Sequence, residues 1–246
     1  MLTATQDLYN GLIIDTETIE SSSSDFEISL MALLKNAKEE QKNLIWLDLT
    51  TKQNEHISLA LKLGFIFHNC EANRVMLTYS VKPDAYIPVA PSHTIGVGAV
   101  VINEKDEILM VKDRICSGHS SFKFPGGMLE HADRFLDGVI REVYEETGIK
   151  SEFIKMVTVL NSHPYRFNKS NIYILFQLKA LSSEINIIDT HEIAEAIWMP
   201  IDEFYADSEM SQFQKDLLDT TRSKEGLVLL DKDIYFPSKK FVEIYG

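Results

Sequence analysis

Residues 126–149 read GGMLEHADRFLDGVIREVYEETGI, and this segment constrains the fold more than any other stretch of the chain. From residue 133 to residue 147 the apolar residues recur every three or four positions, which predicts an amphipathic helix with one buried face. A Pro-Gly-Gly turn precedes this helix, and Gly148 follows it, where glycine commonly ends a helix. The segment therefore predicts a tight turn followed by a helix of defined length.

Three carboxylates lie on another face of this predicted helix. Glu142, Glu145 and Glu146 are three or four residues apart, so they can converge, and their like charges repel unless a cation offsets them. Arg141 can supply one counter-charge and orient a neighbouring carboxylate. A solvated acidic face is the alternative, but the glycines at fixed distances on both sides favour a functional site. Since Mg²⁺ prefers carboxylate oxygens, the three glutamates are candidate metal ligands.

The segment resembles the signature of the Nudix hydrolase family. That signature is a glycine, five residues, Glu, seven residues, Arg-Glu, an aliphatic residue, any residue, Glu-Glu, any residue, glycine and an aliphatic residue. The matching positions are Gly127, Asp133, Arg141, Glu142, Val143, Glu145, Glu146, Gly148 and Ile149. Only Asp133 departs from it, and Asp133 could instead cap the helix. The resemblance implies an α/β fold, a Nudix α/β/α sandwich with a mixed sheet, and hydrolysis of a nucleoside diphosphate linked to another group.

The implied chemistry needs a metal, a phosphate-binding turn and a base. Mg²⁺, with Mn²⁺ as an alternative, would neutralise the pyrophosphate and lower the pKa of the attacking water. Gly126 and Gly127 would let the backbone approach the phosphates closely. Family members often carry a base in a loop ahead of a Trp-bearing strand, which here is THEIAEAIWMP at 190–200. Glu192 is the candidate base and Glu195 the alternative. The predicted catalytic residues are Arg141, Glu142, Glu145 and Glu192.

A second resemblance concerns the substrate. The stretch NSHPYRFNKS at 161–170 is similar to the array that follows the signature in Nudix NADH pyrophosphatases, with several substitutions. Tyr165 could stack on a purine or nicotinamide ring, Arg166 could reach a phosphate, and Phe167 matches an aromatic position. The alternative is a loop with one packed aromatic side chain. We predict that these three residues contribute to substrate binding.

The similarity extends over most of residues 43–206. It resembles the plant Nudix hydrolases that act on ADP-ribose and NADH, and the animal Nudix protein encoded antisense to a fibroblast growth factor. It implies a homodimer that cleaves NADH or ADP-ribose to AMP and a second monophosphate. The alternatives are another substrate, such as coenzyme A, a nucleoside triphosphate or a capped RNA end, and a non-catalytic nucleotide-sensing or scaffold module.

A proline-rich stretch, KPDAYIPVAPS at 82–92, predicts an extended linker between two domains. We predict a small α/β domain over residues 1–85, the linker over 86–92 and the Nudix domain over 93–246. The first domain resembles the C-terminal half of a GNAT acetyltransferase. The Q/R-x-x-G-x-G/A loop that binds acetyl-coenzyme A is missing from it, so an accessory or dimerisation role is expected.

Composition limits the partners. The net charge of −13 argues against binding long nucleic acids, but not against a small anionic substrate held through a metal ion. No apolar run approaches the roughly 20 residues of a membrane span, and the first residues do not form a signal peptide, so no membrane association is expected. Cys70 and Cys116 match no metal or redox spacing, which predicts a reduced, cytoplasmic protein.

Overall fold

The structure is a computed structural model, and it describes residues 2–19, 22–115, 122–223, 225–230 and 242–246. The chain forms two compact units, Met1–Ser92 and His93–Gly246, which are described separately. Cys70, in the first unit, is an exposed free thiol. Cys116, the second cysteine of the prediction, lies outside the described residues.

The first unit is a five-stranded sheet with two helices. Its strands are β1 (Ala4–Gln6), β2 (Leu12–Ile14), β3 (Leu44–Thr50), β4 (Ile66–Glu71) and β5 (Arg74–Ser80), and its helices are α1 (Ser23–Glu39) and α2 (Glu55–Lys62). The strand order is β1-β2-β3-β5-β4, with β2 and β3 parallel and the other pairs antiparallel. The helix α1 buries Phe26, Leu30, Leu33 and Leu34 in the core of this unit.

The second unit contains a six-stranded mixed sheet. Its strands are β6 (His93–Ile102), β7 (Glu107–Asp113), β8 (Gly126–Met128), β9 (Ser151–Ser162), β10 (Ser170–Ala180) and β11 (Ile193–Pro200). Its helices are α3 (Phe135–Thr147), α4 (Ile201–Ala206) and α5 (Gln212–Ser223). The order is β11-β7-β6-β10-β9, with β8 paired to β6. Only the β6–β10 pair is parallel.

Helices cover both faces of this sheet. Side chains of a strand alternate between its two faces, and β6 sends Val97 into one core and Val100 into another. The first core includes Val139 and Val143 of α3, and the second includes Leu218 of α5. The mixed α/β fold with a sheet between helices is thus confirmed.

The strand registers bring four strand ends together. The parallel pairing of β6 and β10 places His93 opposite Ser170, at the start of both strands. The strand β7 runs antiparallel to β6, so Asp113 at its end lies toward the same end of the sheet. There Asp113 pairs with Ile193, the first residue of β11. Loops that precede or follow these residues therefore meet at one end of the sheet.

The segment around the Pro-Gly-Gly turn pairs over a short stretch: Gly126 to Met128 pair with β6, while Lys123 bridges to Val111 of β7. The helix α3 begins at Phe135 rather than at Asp133, so Asp133 does not cap it. No helix within the described part of the chain has the length and apolar character needed to cross a bilayer.

Candidate active site

Glu146 occupies the last turn of α3 with only 3% of its surface exposed. One carboxylate oxygen, Oε2, accepts a hydrogen bond of 2.7 Å from the backbone N–H of Gly126. The other oxygen, Oε1, is buried and has no hydrogen-bond partner among the described residues; Lys123 Nζ lies 3.8 Å away. Burial raises the pKa of Glu146 to about 8, although the Lys123 charge and the Gly126 N–H oppose this shift.

Glu146 belongs to a set of three carboxylates, Asp113, Glu146 and Glu192, which we call the acidic cluster. One oxygen from each residue lies within 4.8 Å of those of the other two, and these residues come from the end of β7, the end of α3 and the loop before β11. Lys123 Nζ lies 2.7 Å from Asp113 Oδ1. Burial acts to lower the pKa of Lys123, but Glu146 and Asp113 raise it above its usual range, so this side chain is an ammonium.

Arg141 binds the other glutamates of the α3 segment. Its guanidinium nitrogens lie 3.0 Å from Glu142 Oε1, 2.9 Å from Glu145 Oε2 and 3.1 Å from Asp133 Oδ2. Burial raises the pKa of Glu142, and the Arg141 charge opposes that shift. In this structure the three glutamates therefore have different partners. Glu142 and Glu145 pair with Arg141, while Glu146 lies next to Asp113 and Glu192.

The two glycines of the turn have separate steric requirements. Gly126 has φ +149°, and a Cβ there would collide with the Val97 carbonyl oxygen of β6. A Cβ on Gly127 would lie 2.5 Å from Glu142 Oε2. The first glycine thus permits β8 to pair with β6, and the second lets the Glu142 carboxylate lie against the turn.

The predicted substrate-binding residues lie in the turn that joins β9 to β10. The Arg166 guanidinium carbon lies 5.8 Å from the centre of the Tyr165 ring, and Phe167 is 95% exposed. Because this turn immediately precedes Ser170, it lies at the same end of the sheet as the acidic cluster. Arg166 and Phe167 are exposed there, and Tyr165 is half-buried.

The two candidate bases occupy different positions. Glu192 is exposed and its carboxylate is part of the acidic cluster. Glu195 lies within β11, opposite Lys112 of β7, and is not a member of the cluster. Of the two, the structure brings Glu192 to Glu146.

Three residues of the site were not predicted from the sequence. Asp113 is the first acid after the apolar run 108–111, and Lys123 stands two residues before the Pro-Gly-Gly turn. Tyr173 of β10 is half-buried: burial raises the pKa of its hydroxyl, and the Glu146 charge adds to that shift. The sequence signal for Asp113 was a charged residue at the end of an apolar strand. Its proximity to Glu192 follows only from the pairing of β7 with β11.

These residues suit a divalent cation. One Glu146 oxygen is buried without a hydrogen-bond partner among the described residues, and the Asp113 and Glu192 carboxylates each bring an oxygen within 4.8 Å of a Glu146 oxygen. Hard cations such as Mg²⁺ and Mn²⁺ prefer oxygen ligands of this kind. The acidic cluster therefore fits the metal that the sequence analysis anticipated, with Glu146 common to the predicted ligands and to the cluster.

Comparison with known proteins shows similarity to Nudix proteins. A family model described as "NUDIX domain" matches residues 92–220, and one described as "Nudix hydrolase domain" matches residues 2–81. Nudix hydrolase 8 of Arabidopsis thaliana is 35% identical over 83% of this chain and 56% of its own length. The human nucleoside diphosphate-linked moiety X motif 6 is 35% identical over 72% of this chain and 57% of its own. A NUDIX hydrolase structure from Nitrosomonas europaea aligns with a TM-score of 0.46 and 22% identity over 53% of this chain and 88% of that one.

The chain belongs to the Nudix hydrolase family, as the sequence analysis predicted. It spans a little over half the length of the two curated relatives named above.

Proposed function

We propose that this chain is a Mg²⁺-dependent pyrophosphohydrolase that acts on a nucleoside diphosphate derivative, NADH or ADP-ribose. The products are AMP and a second monophosphate, which is reduced nicotinamide mononucleotide from NADH and ribose 5-phosphate from ADP-ribose. The observation that carries the proposal is the buried Glu146 carboxylate, which faces Asp113 and Glu192 beside the Gly126–Gly127 turn.

In this proposal the carboxylates of α3 hold the metal. Glu146 would bind the metal from the acidic cluster, Glu142 and Glu145 would be the further ligands, and Asp113 lies close enough to Glu146 to complete or orient the set. Bound Mg²⁺ supplies charge neutralisation at the pyrophosphate and lowers the pKa of the attacking water. Arg141 fixes the orientation of Glu142 and Glu145 through its hydrogen bonds.

Two charged side chains have roles of their own in the proposed reaction. Glu192 accepts the proton of the attacking water, since its carboxylate is exposed and adjacent to Glu146. Lys123 presents its ammonium beside the carboxylates, where it can offset phosphate charge. The exposed turn with Tyr165, Arg166 and Phe167 binds the rest of the dinucleotide by stacking on a ring and by pairing with a phosphate.

The decisive experiment is a substrate panel at one concentration. The purified protein is incubated with NADH, ADP-ribose, coenzyme A, a nucleoside triphosphate and a capped RNA oligonucleotide, each with Mg²⁺, with Mn²⁺ or with EDTA. Metal-dependent release of AMP from NADH or ADP-ribose, lost in Glu146→Gln, supports the proposal. Faster turnover of another compound moves the assignment to that substrate.

The opposite class of function is a nucleotide-binding module without turnover. Calorimetry with NADH or ADP-ribose separates the two, because a binding module shows heat of binding while chromatography finds no product. Such a result would replace the enzymatic proposal with a sensing or scaffold role.

We also propose a homodimer that acts in the cytoplasm. The resemblance to the plant and animal proteins supports the dimer, and the absence of any paired-cysteine spacing supports a reducing compartment. Light scattering on a size-exclusion column measures the oligomeric state, and fractionation of cells expressing the tagged chain measures the location.

A further inference from the structure

Arg114, the residue after Asp113, binds the segment that carries Glu192. Its backbone N–H donates a hydrogen bond of 2.7 Å to the Glu192 carbonyl oxygen. Its side chain donates from Nε to the carbonyl oxygen of Thr190 at 2.9 Å and from a terminal nitrogen to that of Ile193 at 3.1 Å. One residue thus holds three main-chain carbonyls between positions 190 and 193.

The preceding part of the same loop is bound to α3. The backbone N–H of Asn186 donates to the Thr147 carbonyl at 2.9 Å, and that of Asp189 donates to the Glu145 carbonyl at 2.8 Å. These carbonyls belong to the last turn of the helix, where no intrahelical donor remains. The loop is therefore joined to the element that carries Glu146 at one end and to Arg114 at the other.

Packing cannot hold the part of the loop that carries Glu192. Thr190, His191 and Glu192 are all exposed, and the next buried side chain is Ile193. The position of these exposed residues therefore depends on hydrogen bonds. Within the described part of the chain, the other hydrogen bonds of these three residues are local: Asp189 Oδ1 accepts from the N–H groups of His191 and Glu192, and the Thr190 N–H donates to the Ile188 carbonyl.

We propose that Arg114 is a positioning residue for the proposed hydrolysis: it fixes the Glu192 carboxylate relative to Glu146, and this inference rests on the function proposed above. The planar guanidinium presents several donors in a fixed fork, so it can bind two carbonyls at once with little freedom. Displacement of a catalytic group by about 1 Å can cost roughly 100-fold in rate. Loss of Arg114 should therefore lower kcat by about 10- to 100-fold and leave KM nearly unchanged, since its observed hydrogen bonds go to the protein main chain.

The test is a double-mutant cycle with Glu192. Arg114→Ala, Arg114→Lys, Glu192→Gln and Arg114→Ala/Glu192→Gln are compared with the wild type for kcat and KM. If Arg114 acts through Glu192, Arg114→Ala causes no further loss in the Glu192→Gln background. Arg114→Lys keeps the charge without the fork and should be intermediate in kcat.

The matched control is Lys215→Ala, in the same unit. Lys215 Nζ donates to the carbonyls of Tyr205 at 2.9 Å and of Asp207 at 3.0 Å, so it also holds main chain with a cationic side chain. Its loss should lower stability without changing kcat. Equal loss of kcat in Lys215→Ala and Arg114→Ala would mean that general destabilisation explains both, which overturns the proposal.

Amide hydrogen exchange of the metal-free protein gives a readout besides activity. Peptides covering 188–193 should exchange faster in Arg114→Ala than in the wild type or in Lys215→Ala. If exchange is faster in Arg114→Ala while the wild type hydrolyses no dinucleotide, the proposed hydrolysis fails although Arg114 orders the loop.

If the wild type is active, an equal fold-loss of kcat from Arg114→Ala in the wild-type and the Glu192→Gln backgrounds overturns the positioning role. The positioning role is also overturned if Arg114→Ala changes only KM and Arg114→Lys restores the wild-type KM, because that result indicates an electrostatic contact between residue 114 and the substrate.

Discussion

The Glu146 carboxylate accepts a 2.7 Å hydrogen bond from the Gly126 N–H and joins the last turn of α3 to the glycine turn at β8. These two residues are twenty positions apart in the chain. The bond fixes one carboxylate oxygen of Glu146, the other lies 3.8 Å from Lys123 Nζ, and the carboxylate as a whole belongs to the acidic cluster with Asp113 and Glu192. A buried carboxylate held in this way is pre-organised for a cation.

Glu146→Gln should retain the fold and lose the metal response. The amide oxygen of glutamine can still accept the Gly126 hydrogen bond, but the group carries no charge for a metal. We expect metal-dependent turnover to fall by about 100-fold or more, as when a main electrostatic contributor is removed. The stabilisation by Mg²⁺ seen in thermal unfolding should also disappear. Glu104→Gln, on an exposed turn of the same unit, is the control; an unchanged Mg²⁺ response in Glu146→Gln would contradict the assignment.

The pKa of Glu146 predicts how stability depends on pH in EDTA. Burial raises this pKa from 4.5 to about 8 in the folded chain, so between these values the folded state keeps a proton that the unfolded state has lost. The free energy of unfolding should therefore fall as pH rises through this window, by a few kcal/mol in total, and level off above it. Denaturant titrations at pH 5.5, 7 and 8.5 measure this. Glu146→Gln, which cannot titrate, should show a flatter curve, and parallel curves for both proteins would refute the prediction.

Much of the second unit could be predicted from local patterns. The apolar spacing of α3 and the glycine at its end are local properties, and so are the apolar runs of β6 and β7. Arg141 was expected to provide a counter-charge to the neighbouring glutamates, and it lies within 3.0 Å of Glu142. These features depend on residues a few positions apart, which is the range over which sequence periodicity is informative.

The composition of the acidic cluster could not be predicted in this way. Asp113 and Glu192 are 79 residues apart and meet only because β7 pairs with β11. The separation of Glu146 from Glu142 and Glu145 also depends on long-range partners. Of these three glutamates, Glu146 is the one that Gly126 and Lys123 contact within the described part of the chain. The helical spacing allowed the three to converge, but it contained no information on which of them the sheet would bury.

The two glycines of the turn should respond differently to alanine. Gly126→Ala forces a side chain into the Val97 carbonyl at a φ that L residues rarely adopt, so it should cost about 2 kcal/mol or more in stability. Gly127→Ala meets only the end of the Glu142 side chain, which can move away. It should cost less than about 1 kcal/mol but reduce turnover by about tenfold, because Glu142 is displaced. Thermal unfolding and initial rates measured on both variants separate the two effects. Similar stability losses in both variants would show that this division is wrong.

The N-terminus of α3 should depend on the end of the chain. Glu243 Oε2 accepts a 2.9 Å hydrogen bond from the Phe135 N–H, whereas the preceding residue, Arg134, makes no side-chain capping bond. A carboxylate there satisfies a free donor and interacts favourably with the helix dipole. Glu243→Ala should therefore destabilise the second unit by about 1 kcal/mol, which lowers Tm by roughly 2–4 °C.

Glu243→Gln separates the hydrogen bond from the charge. Glutamine keeps an acceptor and loses the interaction with the dipole, so it should cost less than alanine, about 0.3–1 kcal/mol. Turnover should change little in either variant, because the α3 glutamates lie two or more turns beyond Phe135. Differential scanning calorimetry measures the two shifts, with Glu104→Ala as the exposed control. A Glu243→Ala protein as stable as the wild type would show that water caps Phe135 equally well.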